Sequence, residues 1–147
     1  MKFLITNREK ITSLDGLLNQ KHIVISMCEP DMGLDFPELP GNPNRLGVLR
    51  LSFADIDDIN SAKQIGQEHY LMTKDQAEEV IAFVSKYMMN SIETIICQCD
   101  GGISRSSGMA AALSKILNGD DSWVFNSKEY VPNRYVYRLI MNAWYNL

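Results

Sequence analysis

Short apolar runs alternate with segments of helical periodicity along the whole chain. The run at residues 22–28 (HIVISMC) is rich in β-branched side chains with little polar interruption, which is typical of a strand buried on both faces. Similar runs predict strands at residues 2–5, 46–53 and 94–98. Strands that alternate with helices favour an α/β fold with a central, mostly parallel β-sheet of four to five strands flanked by helices.

Two helices are predicted before the last strand. Residues 10–18 have helical spacing of their apolar positions. Thr73 followed by Gln76 is a capping-box pattern, and the apolar residues after it recur every three or four positions. This pattern indicates an amphipathic helix that packs one face against the sheet.

Two further helices are predicted in the last third of the chain. Residues 106–117 are rich in small side chains and are closed by Asn118-Gly119, as is common at a helix C-terminus. Small side chains allow such a helix to lie close to a sheet. Residues 132–145 predict a final helix with Pro132 in its first turn, a position that suits proline.

The stretch at residues 29–45 interrupts the alternation of strands and helices. Four of the five prolines of the chain and two of its glycines lie there, which predicts an extended surface loop. Irregular connections of this length are uncommon and often lie near a functional site.

Composition and charge limit the classes of function. Of the 147 residues, 46% are hydrophobic and 22% are charged, which excludes disordered and fibrous proteins. This length fits one domain, which we expect to span residues 1–147. The 18 acidic residues exceed the 14 basic ones and give a net charge of −4. Proteins that bind nucleic acid or anionic membranes usually have the opposite sign, so we expect neither partner.

Cysteine usage and the absence of long apolar stretches predict a cytoplasmic protein. Three cysteines, an odd number, favour a reducing compartment over a disulfide framework. The apolar run at residues 1–6 is too short for a signal peptide. No stretch approaches the roughly 18 apolar residues that span a membrane.

The segment at residues 95–108 (IICQCDGGISRSSG) has the features of an anion-binding loop. A buried strand leads to Cys99, a turn with two glycines follows, and a helix is predicted to begin near Arg105. Glycines allow successive backbone N–H groups to point inward, and the helix N-terminus adds further N–H groups and the positive end of its dipole. Arg105 can make a two-pronged contact with phosphoryl oxygens. A thiolate under a bound phosphoryl group is a nucleophile in position.

These residues resemble a known signature. Residues 99–106 (CDGGISRS) are similar to the loop of the cysteine-dependent protein tyrosine and dual-specificity phosphatases, which reads His-Cys-x-x-Gly-x-x-Arg-Ser/Thr. The resemblance is greatest to small bacterial and phage-like members, and Pro132-Asn133-Arg134 at the last helix adds to it. Gln98 stands where the family has histidine, so we expect activity that is reduced but not abolished.

The resemblance implies a fold, a reaction and a set of site residues. The fold would be the phosphatase arrangement of strand, phosphate loop and helix. Cys99 would attack phosphorus, Arg105 would bind the phosphate and stabilise the transition state, and Ser106 would stabilise the leaving thiolate. The substrate's phosphate would be bound by the loop residues Asp100, Gly101, Gly102, Ile103, Ser104 and Arg105.

The same resemblance implies the ligands. The substrate would be a phosphorylated protein or a small phosphomonoester, with phosphotyrosine as the first choice. Phosphate, sulfate or vanadate would bind at the same site. The family needs no metal and no cofactor, because the loop itself neutralises the phosphate charge.

The resemblance also implies a general acid that protonates the leaving oxygen, and we expect it in the acidic cluster that follows Phe53 in the sequence. Asp55 is the first choice, because its Phe-x-Asp-Ile setting resembles the corresponding loop of small bacterial members. Asp57 and Asp58 are close rivals, since the interval to Cys99 is longer than usual in the family, with residues 61–70 as the extra segment. Alternatively, this cluster is a solvated turn in which Asp58 or Asn60 caps a helix.

Other readings of the sequence stay open. Gln98 and the undecided acid are also compatible with a phosphate-binding or phosphopeptide-binding module that has lost catalysis. A sulfurtransferase or a thiol-dependent arsenate reductase would also use a cysteine in an anion loop. Cys28 ends a predicted strand and is a candidate for a protective disulfide with Cys99, whereas Cys97 is expected to pack in the core.

Overall fold

Four parallel strands form the central sheet of the computed structural model, which describes residues 1–30 and 36–147. The strand order across the sheet is β1-β4-β2-β3, and the three neighbouring pairs are parallel. The strands are β1 (Lys2–Asn7), β2 (His22–Cys28), β3 (Arg45–Ser52) and β4 (Thr94–Cys99). This confirms the predicted α/β fold with a parallel sheet of four strands.

Six α-helices and one 3₁₀ helix connect and cover the strands in the described residues. They are α1 (Ile11–Leu17), α2 (Ile59–Gln64), the 3₁₀ helix Glu68–Tyr70, α3 (Lys74–Met88), α4 (Arg105–Asn118), α5 (Ser122–Phe125) and α6 (Arg134–Tyr145). The predicted capping box is present at the start of α3. Helix α5 was not predicted, because four residues are too few for a periodic pattern.

The last helix begins two residues later than the sequence predicted. Asn133, not Pro132, is the boundary residue: its side chain accepts a hydrogen bond from the backbone N–H of Val136 at 3.0 Å. Asn133 itself has an extended backbone, and the two residues before it lie outside α6. The prediction that proline occupies the first turn of α6 was therefore wrong, because an asparagine cap sets the start of the helix.

The predicted loop at residues 29–45 lies partly outside the described residues. Residues 31–35 are not described, and residues 36–44 have no helix or strand before β3 begins at Arg45. In the described part of the chain, no helix is both long and apolar enough to cross a membrane.

The sheet is buried on both faces, as expected for parallel strands. One face packs against α3, α4 and α6, and the other packs against α1. Alternate residues of β2 show this division, since Ile23 and Ile25 belong to the larger core while Val24 belongs to the smaller one. The helices cover the faces and leave the carboxyl ends of the strands for loops.

A buried polar cluster lies at the opposite, amino ends of β2 and β3. Asp15 of α1 is fully buried. Its carboxylate contacts His22 Nε2 at 2.7 Å and accepts a hydrogen bond from Arg45 Nη1 at 2.5 Å. Asn42 donates to the backbone carbonyl of Asp15 at 2.7 Å. The cluster therefore joins α1, the loop before β3 and two strands at the end of the sheet remote from Cys99.

We expect Asp15→Asn to lower the free energy of unfolding by roughly 3 kcal/mol, because it removes one partner from a buried charge pair. This is the low end of the usual range, since the Arg45 side chain is still 17% exposed. Urea denaturation measures the change. The control is Glu93→Gln, an exposed residue just before β4, which should change stability by no more than about 0.5 kcal/mol. A loss of under about 1 kcal/mol for Asp15→Asn would contradict this role of the cluster.

Candidate active site

Polar residues from all four strands meet at the carboxyl edge of the sheet. Arg8 follows β1, Glu29 follows β2, Asp55 lies three residues after β3, and the loop at residues 100–104 follows β4. In open parallel sheets this edge is where ligands usually bind, because loops alone cover it.

The loop between β4 and α4 curves around the Cys99 sulfur. The backbone N–H of Gly102 donates to Cys99 Sγ at 3.2 Å, and Ser106 Oγ lies 3.1 Å from the same atom. Cys99 is only 2% exposed. Both contacts stabilise negative charge on the sulfur when Ser106 donates, and the N-terminus of α4 adds the positive end of its dipole.

Glycine at position 102 is required by both conformation and space. Gly102 has φ +70°, and a Cβ added there would lie 2.9 Å from the backbone carbon of Thr6. The end of β1 therefore packs directly against the loop at Gly102. Gly101 has no such constraint, since no atom of the described residues lies within 4 Å of an added Cβ.

Arg105 is buried beneath the loop and is held by three acceptors. Its Nη1 donates to the carbonyl of Phe53 at 3.0 Å, and its Nη2 lies 3.0 Å from Glu29 Oε1 and 3.3 Å from Asp100 Oδ2. Its Nε is buried and has no hydrogen-bond partner among the described residues. Arg105 Nε therefore lies beside the Cys99 loop without an acceptor in the described part of the chain.

Asp100 joins two arginines. Its Oδ1 accepts from Arg8 Nε at 3.1 Å, and its Oδ2 accepts from Arg105 Nη2 at 3.3 Å. Arg8 also donates its backbone N–H to the carbonyl of Asp100 at 3.2 Å. Local sequence carries no signal for Arg8 or Glu29, because each meets the loop only across neighbouring strands.

Of the three aspartates behind Phe53, Asp55 contacts the loop. Asp55 Oδ1 accepts hydrogen bonds from Ser104 Oγ at 2.8 Å and from Asn133 Nδ2 at 2.9 Å. Asp58 is the N-cap of α2 and accepts from the backbone N–H of Asn60 at 3.1 Å. Asp57 is exposed and lines a surface cavity that it shares with Asp55 and Ser104.

Gln98 is fully buried and satisfies the backbone next to the cysteine. Its Nε2 donates to the carbonyl of Cys99 at 3.1 Å, and its Oε1 accepts from Ser26 Oγ on β2. The side chain at this position thus fixes the carbonyl of Cys99 without a titratable group.

The segment at residues 131–133 attaches the loop to the start of α6. Val131 and Asn133 donate their backbone N–H groups to the carbonyls of Ile103 and Ser104, at 3.1 and 3.0 Å. A Cβ added at Gly108 of α4 would lie 2.5 Å from the Asn133 carbonyl oxygen. This close approach allows Asn133 to reach both the loop and Asp55.

The two other cysteines lie in different environments from Cys99. Cys97 is completely buried, and burial raises the pKa of its thiol, with a further contribution from Cys99. Burial also raises the pKa of Cys28. The register pairs Ser26 with Gln98 and Ile25 with Cys97. Cys28 thus lies on the sheet face opposite to Cys97 and Cys99, which disfavours the Cys28–Cys99 disulfide.

Comparison with known proteins gives matches to solved structures. No protein-family model and no curated protein matches the sequence. PTPMT1 in complex with PI(5)P matches with a TM-score of 0.60 and 16% identity over 99% of this chain and 91% of that chain. A mouse putative dual specificity phosphatase complexed with zinc tungstate matches with a TM-score of 0.61 and 14% identity, over 97% and 82%. Tk-PTP in the active form matches with a TM-score of 0.55 and 13% identity, over 99% of this chain and 91% of that chain.

At these identities the likeness establishes the fold. The chain has the fold of the cysteine-dependent tyrosine and dual-specificity phosphatases, which confirms the fold implied by residues 99–106. The roles of the individual site residues rest on the geometry described above.

We expect Gly102→Ala to disturb the loop far more than Gly101→Ala. The first variant forces an L side chain into positive φ, at about 1–3 kcal/mol, and drives its Cβ into the backbone of Thr6. The second meets no atom and should alter stability by at most about 0.5 kcal/mol. Urea denaturation and binding of vanadate measure both effects. If the two variants had the same stability and the same affinity for vanadate, the close approach between the loop and β1 would be contradicted.

Proposed function

We propose that this chain is a phosphomonoester hydrolase of the protein tyrosine and dual-specificity phosphatase type, with Cys99 as nucleophile. The observation that carries this proposal is that Arg105 Nε has no hydrogen-bond partner among the described residues. A buried N–H without an acceptor costs about 1–3 kcal/mol, so a donor kept in that state beside an anion-binding loop favours an oxyanion ligand as its partner. The phosphatase fold supports the same conclusion.

In the first step, the Cys99 thiolate attacks phosphorus. A sulfur–phosphorus bond forms while the bond from phosphorus to the ester oxygen breaks. The guanidinium of Arg105 and the loop N–H groups bind the other phosphoryl oxygens, where charge is concentrated in the transition state. The loop at residues 100–104 therefore supplies the binding energy through its backbone.

Asp55 supplies the proton to the leaving oxygen. Its Oδ1 accepts two hydrogen bonds, from Ser104 and Asn133, so the transferable proton resides on Oδ2. Asn133 and Ser104 act as positioning residues, because they hold the carboxyl group at the edge of the loop. Asp58 is engaged as a helix cap, which leaves Asp57 as the remaining rival.

In the second step, water attacks the phosphocysteine. Asp55, now a carboxylate, accepts a proton from the water, and the sulfur–phosphorus bond breaks to release phosphate. The hydroxyl of Ser106 and the N–H of Gly102 stabilise the departing thiolate, since both lie within 3.2 Å of Cys99 Sγ. This chemistry uses side chains and backbone alone.

The proposal extends to ligands, location and domain organisation. Phosphate, vanadate and tungstate are expected site ligands, and the mouse structural neighbour is itself a zinc tungstate complex. A thiol nucleophile needs a reducing compartment, so we place the protein in the cytoplasm; all three cysteines are free. Site residues extend from Arg8 to Asn133, which supports a single phosphatase-like domain over residues 1–147.

We expect Cys99→Ser to abolish turnover of para-nitrophenyl phosphate, by about 10³-fold or more, because it removes the nucleophile. Cys28→Ser is the matched control: it makes the same change at the end of the neighbouring strand, and it should keep most of the activity. Release of para-nitrophenol measures both.

Two results would contradict the proposal. Wild-type protein that binds vanadate but turns over no phosphomonoester between pH 5 and 8 would favour the phosphate-binding module instead. Equal loss of activity in both variants would remove Cys99 from the role of nucleophile.

We expect Asp55→Asn to lower kcat by about 10²–10⁴-fold on phosphotyrosine, the usual value of general-acid assistance. The loss should be smaller on para-nitrophenyl phosphate, because para-nitrophenol leaves with little protonation. Asp58→Asn is the control, since asparagine caps a helix as well as aspartate does. A larger loss in Asp57→Asn than in Asp55→Asn would assign the acid to Asp57.

A further inference from the structure

The charges around the loop are predominantly negative. Arg105 faces the carboxylates of Glu29 and Asp100 through one nitrogen, and Asp100 is shared with Arg8. The carboxylate of Asp55 accepts a hydrogen bond from Ser104 Oγ in the same loop. Among the described residues, two guanidiniums thus meet three carboxylates at the loop.

A cavity of about 430 Å³ opens beside the contact between Asp55 and Ser104. Its lining combines acidic, amide and aliphatic side chains: Asp55, Ile56, Asp57, Ser61, Gln64, Ile65 and Ser104. None of the described residues that line it is a lysine or arginine, and Lys63 of α2 is absent from its wall. The cavity therefore adds negative charge immediately outside the site of the proposed reaction.

Asp57 differs from the neighbouring aspartates in its contacts. Asp55 holds two hydrogen bonds, and Asp58 caps α2. Asp57 is exposed and makes no hydrogen bond or ion pair with any residue that the structure describes. Its charge is available to a group on the substrate.

Two exposed aliphatic side chains belong to the cavity wall and to the neighbouring loop. Ile65 of the cavity wall is 63% exposed, and Ile103 of the loop is 49% exposed. Long basic side chains bury their methylene groups on such surfaces while the charged end stays near an anion. The cavity thus offers an apolar wall and a carboxylate to one long cationic side chain.

We propose that the site, given the phosphatase function proposed above, selects a phosphorylated peptide with lysine or arginine beside the phosphorylated residue, and that Asp57 determines this specificity. The basic side chain lies along Ile65 and ends at Asp57 while the phosphate enters the loop. Substrates with additional phosphates meet the surrounding carboxylates and are rejected.

The inference is tested with three phosphotyrosine peptides of equal length, flanked by lysine, by alanine or by glutamate. One exposed ion pair changes affinity by about two- to fivefold, and replacing attraction by repulsion doubles the effect on a logarithmic scale. We expect kcat/KM to be about four- to twenty-five-fold higher for the lysine peptide than for the glutamate peptide. The ratio should fall in about 1 M salt, where the Debye length is near 3 Å.

Variants assign the preference to Asp57. The measured quantity is kcat/KM for the lysine peptide divided by kcat/KM for the glutamate peptide. A change in the chemical step affects both peptides equally and cancels in this ratio. The ratio should approach 1 in Asp57→Asn and fall below 1 in Asp57→Lys. Glu93→Gln removes the same charge before β4, at the opposite end of the sheet, and should leave the ratio unchanged. An unchanged ratio in both Asp57 variants would overturn the inference.

The remaining outcomes separate this inference from the proposed function. Turnover of para-nitrophenyl phosphate with equal rates on all three peptides would overturn the specificity alone. Faster hydrolysis of a dioctanoyl phosphatidylinositol phosphate than of the lysine peptide would also overturn it. If no substrate is turned over, the proposed function fails, and fluorescence anisotropy of the three peptides on Cys99→Ser still measures the preference. Equal affinities there would overturn the inference.

Discussion

A buried guanidinium is the constraint on which the geometry of this site depends. Arg105 is only 3% exposed, and a buried charge is tolerated only when acceptors surround it. Those acceptors come from three different strand ends: the carbonyl of Phe53 after β3, Glu29 after β2 and Asp100 after β4. The loops at the carboxyl edge must therefore converge on one cation. The Nε of that cation has no hydrogen-bond partner among the described residues.

Close backbone contacts hold the loop around the sulfur. Gly102 lies on the end of β1, and Gly108 lies under the carbonyl of Asn133. A single methyl group at either place would separate elements that now touch. Because Asn133 caps α6 and also donates to Asp55, packing between helices is linked directly to the position of the proposed acid.

The carboxylates that hold Arg105 also limit the strength of its field. Glu29 and Asp100 stabilise a buried cation, and in doing so they neutralise much of its charge outside the loop. The proposed attraction for phosphate then rests on the short-range backbone N–H groups and on Arg105 Nε, which has no hydrogen-bond partner among the described residues. The proposed preference for one phosphoryl group over a polyanion rests on this balance of charges and agrees with the net charge of −4.

The sequence by itself determined the features that depend on neighbouring residues. The apolar pattern predicted the strand at residues 22–28 with its observed limits, and Thr73 with Gln76 predicted the cap of α3. The Cys99 loop was predictable for the same reason, since its conformation follows from local glycines and the helix that begins after Ser104.

Only the tertiary structure decided the interactions between distant elements. Of the three aspartates after Phe53, Asp55 contacts Ser104 and Asn133, which lie 49 and 78 residues away in the sequence. Arg8 and Glu29 joined the site through the order of the parallel strands, which no local pattern encodes. The start of α6 was displaced from Pro132 by a capping asparagine. Strand order and helix packing bring these groups together, because they reflect burial of the whole chain rather than the preference of any one segment.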